Sequence, residues 1–547
     1  MRQPSNPRSA APRARGLARS RAKMMATAAS GPFTGPSGGG DVHRGASQGS
    51  NVLGGWFARP TGPHGVPAHE RDNLNTRSQD LIRNDGTART GKKRRIGMVV
   101  GEGWILSPNV DHRALGITAE EGRALGAAMA ANFAAWAGDP LKRNDSRRLF
   151  NFSQQLRLMA GDRLTANAAL GVLRWNENLT GRYSTQLQLI EPDRLSNPNS
   201  TPDTTHLRDG VALDDNGAPI GFHIRSAHPN DTAPDAPRYV WDYVPRWDEA
   251  TGRPVVLYSF EAERTEAVNG VSAFASVMED FKQISRASNA ELGKAVAQSM
   301  YVAFIESGLA PNEAAEQLRV FDPESADAFA NSQASYYEEM GGVPRMGDGQ
   351  RIPILHPGDK FSFTTSTAGP SGYSDFIAVF LRRMAGALGV TYAQISEDFG
   401  GMNFSSARAA MNNIWKDVVV ERSDLAADIA TPLYYAISEE GLRWGYWSEP
   451  AGAPTFAEMP GAYLRCTWIG PGRGHIDPEK EGKADALKLA AGTTTMERVA
   501  AEAGMTFEEL VEQRAREAAL LEEYGLVSAA EVGAAAAAAP QHNAPET

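Results

Sequence analysis

Residues 374–417 read SDFIAVFLRRMAGALGVTYAQISEDFGGMNFSSARAAMNNIWKD, and this stretch decides the fold. Phe376, Ile377, Phe380, Leu381, Met384 and Leu388 recur at helical spacing, with Arg382 and Arg383 on the other face. A loop of acidic, glycine and asparagine residues follows, and Gly400 and Gly401 relax the backbone at its tip. Ser405 or Ser406 is then positioned to cap a second helix that runs through Arg408, Met411 and Trp415. From the residues alone the reading is helix, loop, helix.

Upstream, Ser272 to Ser307 carries a second long helical pattern. Phe274, Met278 and Phe281 share one stripe, and Leu292, Val296, Met300 and Phe304 repeat every four residues. An unbroken helix of that length spans about 50 Å. A small mixed insert with the strand-like runs RIPIL and KFSFTTS, punctuated by Pro353, Pro357 and Gly358, separates the two helices. Such stripes also suit the core of an ordinary helical bundle.

The remaining chain sorts by local pattern. Residues 1–70 are rich in Arg, Ala, Ser, Gly and Pro and bury too little surface to offset the entropy of ordering; they are read as a disordered basic arm. Residues 74–108 read as a polar helix, a short apolar strand from Ile96 to Val100 and a glycine turn. Residues 119–184 look largely helical, including 152–173. Between 185 and 260, alternating runs broken by Pro, Asn-Gly and Asp-Gly predict short strands, with Asn216-Gly217 as a tight hairpin turn. Beyond 475 helices return, with Thr494/Glu497 and Thr506/Glu509 in capping-box spacing, before a floppy tail at 528–547.

Composition bounds the function. The 547 residues suffice for several domains. One cysteine, Cys466, excludes an intramolecular disulfide framework and a cysteine zinc cage. No apolar run approaches the roughly 18 residues needed to span a bilayer. The net charge of −10 argues against a protein built to grip nucleic acid tightly. GTARTGK at 86–92 starts like a phosphate-binding loop, but Lys93 stands where a Ser or Thr hydroxyl must bind Mg²⁺, so a basic surface loop is the plainer reading. His69-Glu70 lacks the second histidine of a zinc-protease motif, no GxSxG is present, and GPGRGH at 470–475 precedes no phosphate-binding helix. No catalytic residues, metal ligands or cofactor are expected.

The 374–417 stretch resembles the most recognisable segment of lambda-type phage portal proteins. The matching positions are Gly389, Val390, Tyr392, Glu397, Asp398, Asn403, Phe404, Ser405, Ser406, Arg408 and Ala409. Further likenesses are the block of Arg77, Arg83, Asn84 and VVGEGW, FAAWA at 133–137, AGDRL at 160–164, GVSAF at 270–274, LHPGD at 355–359 and WIGPGRGHIDPEKEGKA at 468–484. Asn269 departs from the arginine often found there in the family.

The resemblance implies an α+β, mainly helical portal fold of wing, stem, clip and crown, assembling as a cyclic ring, in that family a dodecamer. Mapped on this chain, 71–271 is the N-terminal wing, 272–306 the first stem helix, 307–373 the clip and 374–390 the second stem helix. Residues 391–404 are the tunnel loop, 405–474 the wing helix and return strands, and 475–527 the helical crown. Gln394, Glu397, Asp398 and Asn403 would face the DNA channel, the acidic pair repelling the duplex. Lys282, Arg286, Arg382 and Arg383 are stem-lumen candidates that either balance this charge or pair between subunits. The implied partners are other copies of the chain, double-stranded DNA bound without sequence preference, the terminase large subunit, the major capsid protein and a head–tail connector, with no membrane. The same ring would serve a gene-transfer or phage-like particle, and a helical adaptor without DNA passage is the more distant alternative. Limited proteolysis is expected to remove residues 1–70 within minutes while a core from about Leu74 resists, because the arm lacks burial; equal protection of arm and core would overturn that reading.

Overall fold

The computed structural model describes residues 68–166, 168–177, 179, 181–300, 370–400, 404–473, 478–502 and 504–524, with 60, 62, 345–346 and 350–351. Nearly all of the arm, most of the 307–373 insert, residues 301–306, Asn403 and the tail lie outside the described residues.

Two helices open the described chain, α1 (Ala68–Asn84) and α2 (Gly86–Val99). Asp85 divides them, its carboxylate accepting the Ala88 N–H at 2.9 Å as an N-cap. The strand expected at 96–100 is instead the end of α2. Arg422 donates to the orphaned carbonyls of Met98 and Val99 and so supports this helix end. The strand comes later, as β1 (Ile105–Pro108).

Capping boxes start α3 (Ala119–Ala137) at Thr118/Glu121 and α4 (Phe152–Thr165) at Asn151/Gln154. The helix expected across 152–173 stops at Thr165, because Ala169–Trp175 forms β2. This strand is central in an antiparallel sheet, between β3 (Thr185–Ile190) and β8 (Val256–Ser259), and its first five residues are buried. A strand covered on both faces shows no alternation, so its apolar run is indistinguishable from a buried helix by periodicity.

A second sheet has the order β4 (Leu207–Arg208), β5 (Val211–Leu213), β6 (Pro219–Arg225), β7 (Trp241–Pro245). Gly217, at φ 81°, makes the expected β5–β6 turn, and its N–H reaches the Asp214 carbonyl at 3.0 Å. After a 3₁₀ turn at Ala275–Val277 comes α5 (Met278–Met300). The short pair β9 (Arg345–Met346) and β10 (Gln350–Arg351) precedes α6 (Pro370–Ala387) and α7 (Tyr392–Ser396).

The next rod is α8 (Phe404–Leu425), a π-helical turn (Ala426–Ala430) and α9 (Thr431–Arg443). Because α8 starts at Phe404, Ser405 and Ser406 lie in its first turn and not at the cap. Pro432 accounts for the π turn: it has no N–H to give the carbonyl four residues back, and Thr431 reaches five residues back to Ala426. The chain closes with α10 (Pro460–Tyr463), β11 (Cys466–Ile469), which pairs antiparallel with β1, and helices α11 (Pro478–Ala490), α12 (Met496–Glu502) and α13 (Phe507–Glu523). Thr495, not Thr494, caps α12 by accepting the Arg498 N–H, and Glu497 instead takes the Ser107 hydroxyl.

Phe133 sits at the middle of the main core. Its ring meets Phe152, Tyr434 and Trp468 edge-on at 5.4, 5.7 and 5.4 Å, which joins α3, α4, α9 and β11. Fully buried Glu440 locks α9 to β3, accepting from the Ser184 and Thr185 N–H groups and the Thr185 hydroxyl. Glu440→Ala leaves these donors without an acceptor. It is expected to cost about 3 kcal/mol in chemical denaturation; a variant as stable as wild type would refute this role.

Candidate nucleic-acid interface at the helix–loop–helix

The corner between α6 and α7 is built on α2. Gly389, at φ 61°, turns the chain out of α6, and an added Cβ would lie 2.8 Å from the Arg95 guanidinium. That guanidinium donates to the Gly389 carbonyl at 3.1 Å and, through Nε, to Glu421 of α8 at 2.8 Å. Gly91 lets the end of α6 close on α2, since a Cβ there would meet Leu388 Cδ1 at 2.6 Å. Val390, Ala393 and Ile395 are buried, two of them in one cluster with Leu81, Ala88, Phe281, Met384 and Leu388. Thr391 caps α7 and Gln394 completes its capping box.

On α8, burial pushes the Glu421 carboxyl up, while Arg95 and Arg163 oppose the shift. Arg163 holds Asp424 at 3.0 Å. Burial also pulls the Arg422 guanidinium down to about 10; it stacks over Trp415 at 4.8 Å while serving the end of α2. Charged residues within about one turn of α8 thus fix it on α2 and α4.

The polar residues expected at the lumen divide into separate groups. Gln394 is structural: its carbonyl oxygen accepts the Thr391 N–H at 2.9 Å and its amide faces Met98 sulfur at 3.5 Å. Its polarity marks a cap and not a free loop residue. Glu397, in left-handed backbone at φ 56°, pairs with Arg94 of α2 at 2.7 Å, with the two side chains 52% and 47% exposed. Asp398 is exposed and accepts the Gly400 N–H at 2.9 Å. Asn403 lies outside the described residues. The loop therefore presents less free negative charge than its two carboxylates suggest.

Three of the four cations expected in the stem have partners within the protomer. Lys282 meets Asp80 at 3.4 Å and Arg383 meets buried Asp280 at 3.2 Å. Arg382 lies over the Tyr392 ring at 5.1 Å, and Arg286 is exposed.

The polar helix expected ahead of Ile96 is present as α1 and α2, and α2 runs through GTARTGK. The segment taken as a basic surface loop is helical, with Ala88, Gly91 and Arg95 buried and Arg89, Lys93 and Arg94 exposed. The signal was present: positions 88, 91, 95 and 99 follow helical spacing. Lys92 is drawn inward; burial lowers its pKa, and its ammonium lies 3.4 Å from the Thr165 hydroxyl. Neighbouring Asp162 is pushed up to about 7, first by burial, with Glu191 and Asp193 adding to the shift and Lys92 opposing it.

Glu191, Asp193 and His228 bring potential metal-ligand atoms within 4.8 Å of one another. However, His228 Nδ1 accepts the Asn230 N–H, which leaves the proton of the neutral ring on Nε2, facing Asp193 at 3.6 Å. Both Asp193 oxygens also take amides, from Asn75 and Gln79 of α1. The arrangement suits a hydrogen-bonded anchor for α1 better than a cation site. No described helix is long and apolar enough to cross a membrane.

This fold, a helix–loop–helix seated on a basic helix within a mainly helical α+β chain, is that of a phage portal protein. Residues 50–422 match the family described as "Phage portal protein, lambda family", and the chain belongs to that family. It is 31% identical over 461 residues to the portal protein of Escherichia phage N15, covering 83% of this chain and 84% of that one. It is 30% identical over 452 residues to portal protein B of Escherichia phage lambda, covering 81% and 83%. A probable portal protein of Halomonas phage phiHAP-1 is 24% identical, covering 59% and 57%. Among solved structures, a chain in the neck of an empty gene transfer agent particle overlaps at TM-score 0.36 and 13% identity, covering 78% of this chain and 93% of that one. That overlap is loose, and the family assignment rests on sequence.

Gln394→Ala is expected to destabilise the protein by about 1 kcal/mol, the usual worth of a helix cap; a thermal-unfolding midpoint equal to wild type would show that the cap contributes nothing. Asp162 binds its proton more tightly when folded, so its contribution to stability falls as pH rises from about 4, near the ordinary carboxyl value, to about 7. Asp162→Asn should flatten that part of the stability–pH curve and raise stability at pH 8. Parallel curves for variant and wild type would contradict this.

Proposed function

We propose that the chain assembles into a closed ring at one vertex of a phage capsid, through which duplex DNA is packaged and ejected. The observation that carries the assembly is the uneven burial of the two long helices. Phe274, Phe281, Met384 and Leu388 are buried at one end, whereas Leu292, Phe376 and Val379 are 64%, 44% and 52% exposed farther along. Apolar surface left open on paired helices suits coverage by identical neighbours, and a repeated head-to-tail contact that closes makes a ring. In this reading α5 and α6 belong to the stem, 307–373 to the clip, 391–404 to the tunnel loop, the α8–α9 rod to the wing and 475–527 to the crown.

The electrostatics agree with sliding. A lumen rich in unpaired cations would hold phosphates and slow the duplex, whereas Lys282 and Arg383 are already matched by carboxylates. The ring does no chemistry of its own; a terminase docked at the clip supplies the work. The major capsid protein and a head–tail connector are its other contacts, and the ring remains in the virion.

Mass photometry of the purified chain is expected to show a large ring species, and a strictly monomeric protein at micromolar concentration would defeat the proposal. For the loop, inverting the charge of Glu397 and Asp398 together to lysine should slow or stall head filling, most at low salt, in rings that assemble normally. Heads that fill at the wild-type rate would place the loop away from the lumen.

A further inference from the structure

Helix α2 presents a cationic face beside the loop, and one of its cations is held by the loop itself. Arg89 and Lys93 stand one helical turn apart, both exposed, and neither forms an ion pair among the described residues. Arg94 is next to them and is engaged by Glu397 at 2.7 Å, with both side chains about half exposed. An ion pair so open to water is weak and easily screened. A phosphodiester offers the same guanidinium a planar two-point partner, repeated at every nucleotide of a strand.

We propose that Arg94 exchanges between Glu397 and a phosphate of the nucleic-acid backbone. Arg89, Lys93 and Arg94 then form a non-specific phosphate contact that Glu397 holds in check. The buried side of α2 makes this contact rigid: Ala88, Gly91 and Arg95 fasten the helix to the α6–α7 corner and to α8. The strip therefore keeps its position when the pair opens. The carboxylate acts as an internal competitor, so the contact is strong enough to touch a passing duplex and too weak to retain it. This inference rests on the placement of the loop at the lumen.

The test is fluorescence anisotropy of a short blunt duplex of random sequence with assembled rings, titrated across salt concentrations. Glu397→Gln keeps the shape and removes the competing charge. It should tighten binding about two- to fivefold, the range expected for an exposed pair, and steepen the slope of log affinity against log salt by about one. Arg94→Gln should weaken binding, and adding Glu397→Gln to it should restore nothing. Asp398→Asn removes the same charge without touching Arg94 and should leave the slope unchanged. If Arg94→Gln does not assemble, Arg94→Lys replaces it and should bind between wild type and Glu397→Gln when combined with the latter.

Exchange is overturned if Glu397→Gln binds as wild type does, or if it tightens binding equally with Arg94 replaced, because the effect would then be bulk charge alone. The head-filling assay separates the two levels. Slowed filling by the charge-inverted loop together with an unchanged Glu397→Gln affinity refutes exchange and keeps the loop at the lumen. Normal filling and unchanged affinity refute both.

Discussion

The buried Arg95 guanidinium joins three parts of the chain that are distant in sequence. It holds the carbonyl of Gly389 at the turn out of α6, the carboxylate of Glu421 on α8, and its own place on α2. A guanidinium suits this task because its donors lie in a fixed plane and it stays charged when buried. Two charges taken out of water are costly unless every donor finds an acceptor. Here the carbonyl and carboxylate supply them, so the geometry of the α6–α7 corner is tied to that of α8. Neither the long helix nor the loop after it is positioned by its own sequence; both are positioned by their contacts with α2.

That arrangement separates rigid from exchangeable charge. The Arg95–Glu421 pair is recessed and reinforced by the Gly389 carbonyl, the Arg163 guanidinium is buried where it meets Asp424, and Arg422 is held by backbone carbonyls and the Trp415 ring. A few residues away, Arg94 and Glu397 meet in the open. The inner set fixes the helices, while the outer pair is subject to salt and to competing anions.

Several features that resembled chemistry in the sequence have structural roles. Gly91 and Lys92 of GTARTGK belong to a packed helix: Gly91 makes room for Leu388 at the end of α6, and Lys92 turns inward toward Asp162 and Thr165. Gly470, within GPGRGH, leaves space for the Arg422 side chain, since a Cβ would approach it to 2.9 Å. Of the histidine and two carboxylates near residue 193, Asp193 anchors α1 by accepting the amides of Asn75 and Gln79.

The sequence by itself determined the local elements whose signals are local. The apolar stripe of residues 376–388, the turn at Asn216-Gly217, the alternating strands β3 and β6, and the glycine and acidic residues of the portal-like segment were all legible, because each depends on neighbours a few positions away. Strand β2 and the end of α2 were not, since a run buried on both sides carries no period and Arg422 reaches that helix end from more than three hundred residues away. The roles of Gln394 and Glu397 were likewise hidden: both are polar residues in a loop on paper, yet one completes a cap and the other meets Arg94. Only the tertiary structure decided which charges are paired, because an ion pair depends on distance in space, and the chain brings residues 94 and 397 together only by folding α7 onto α2.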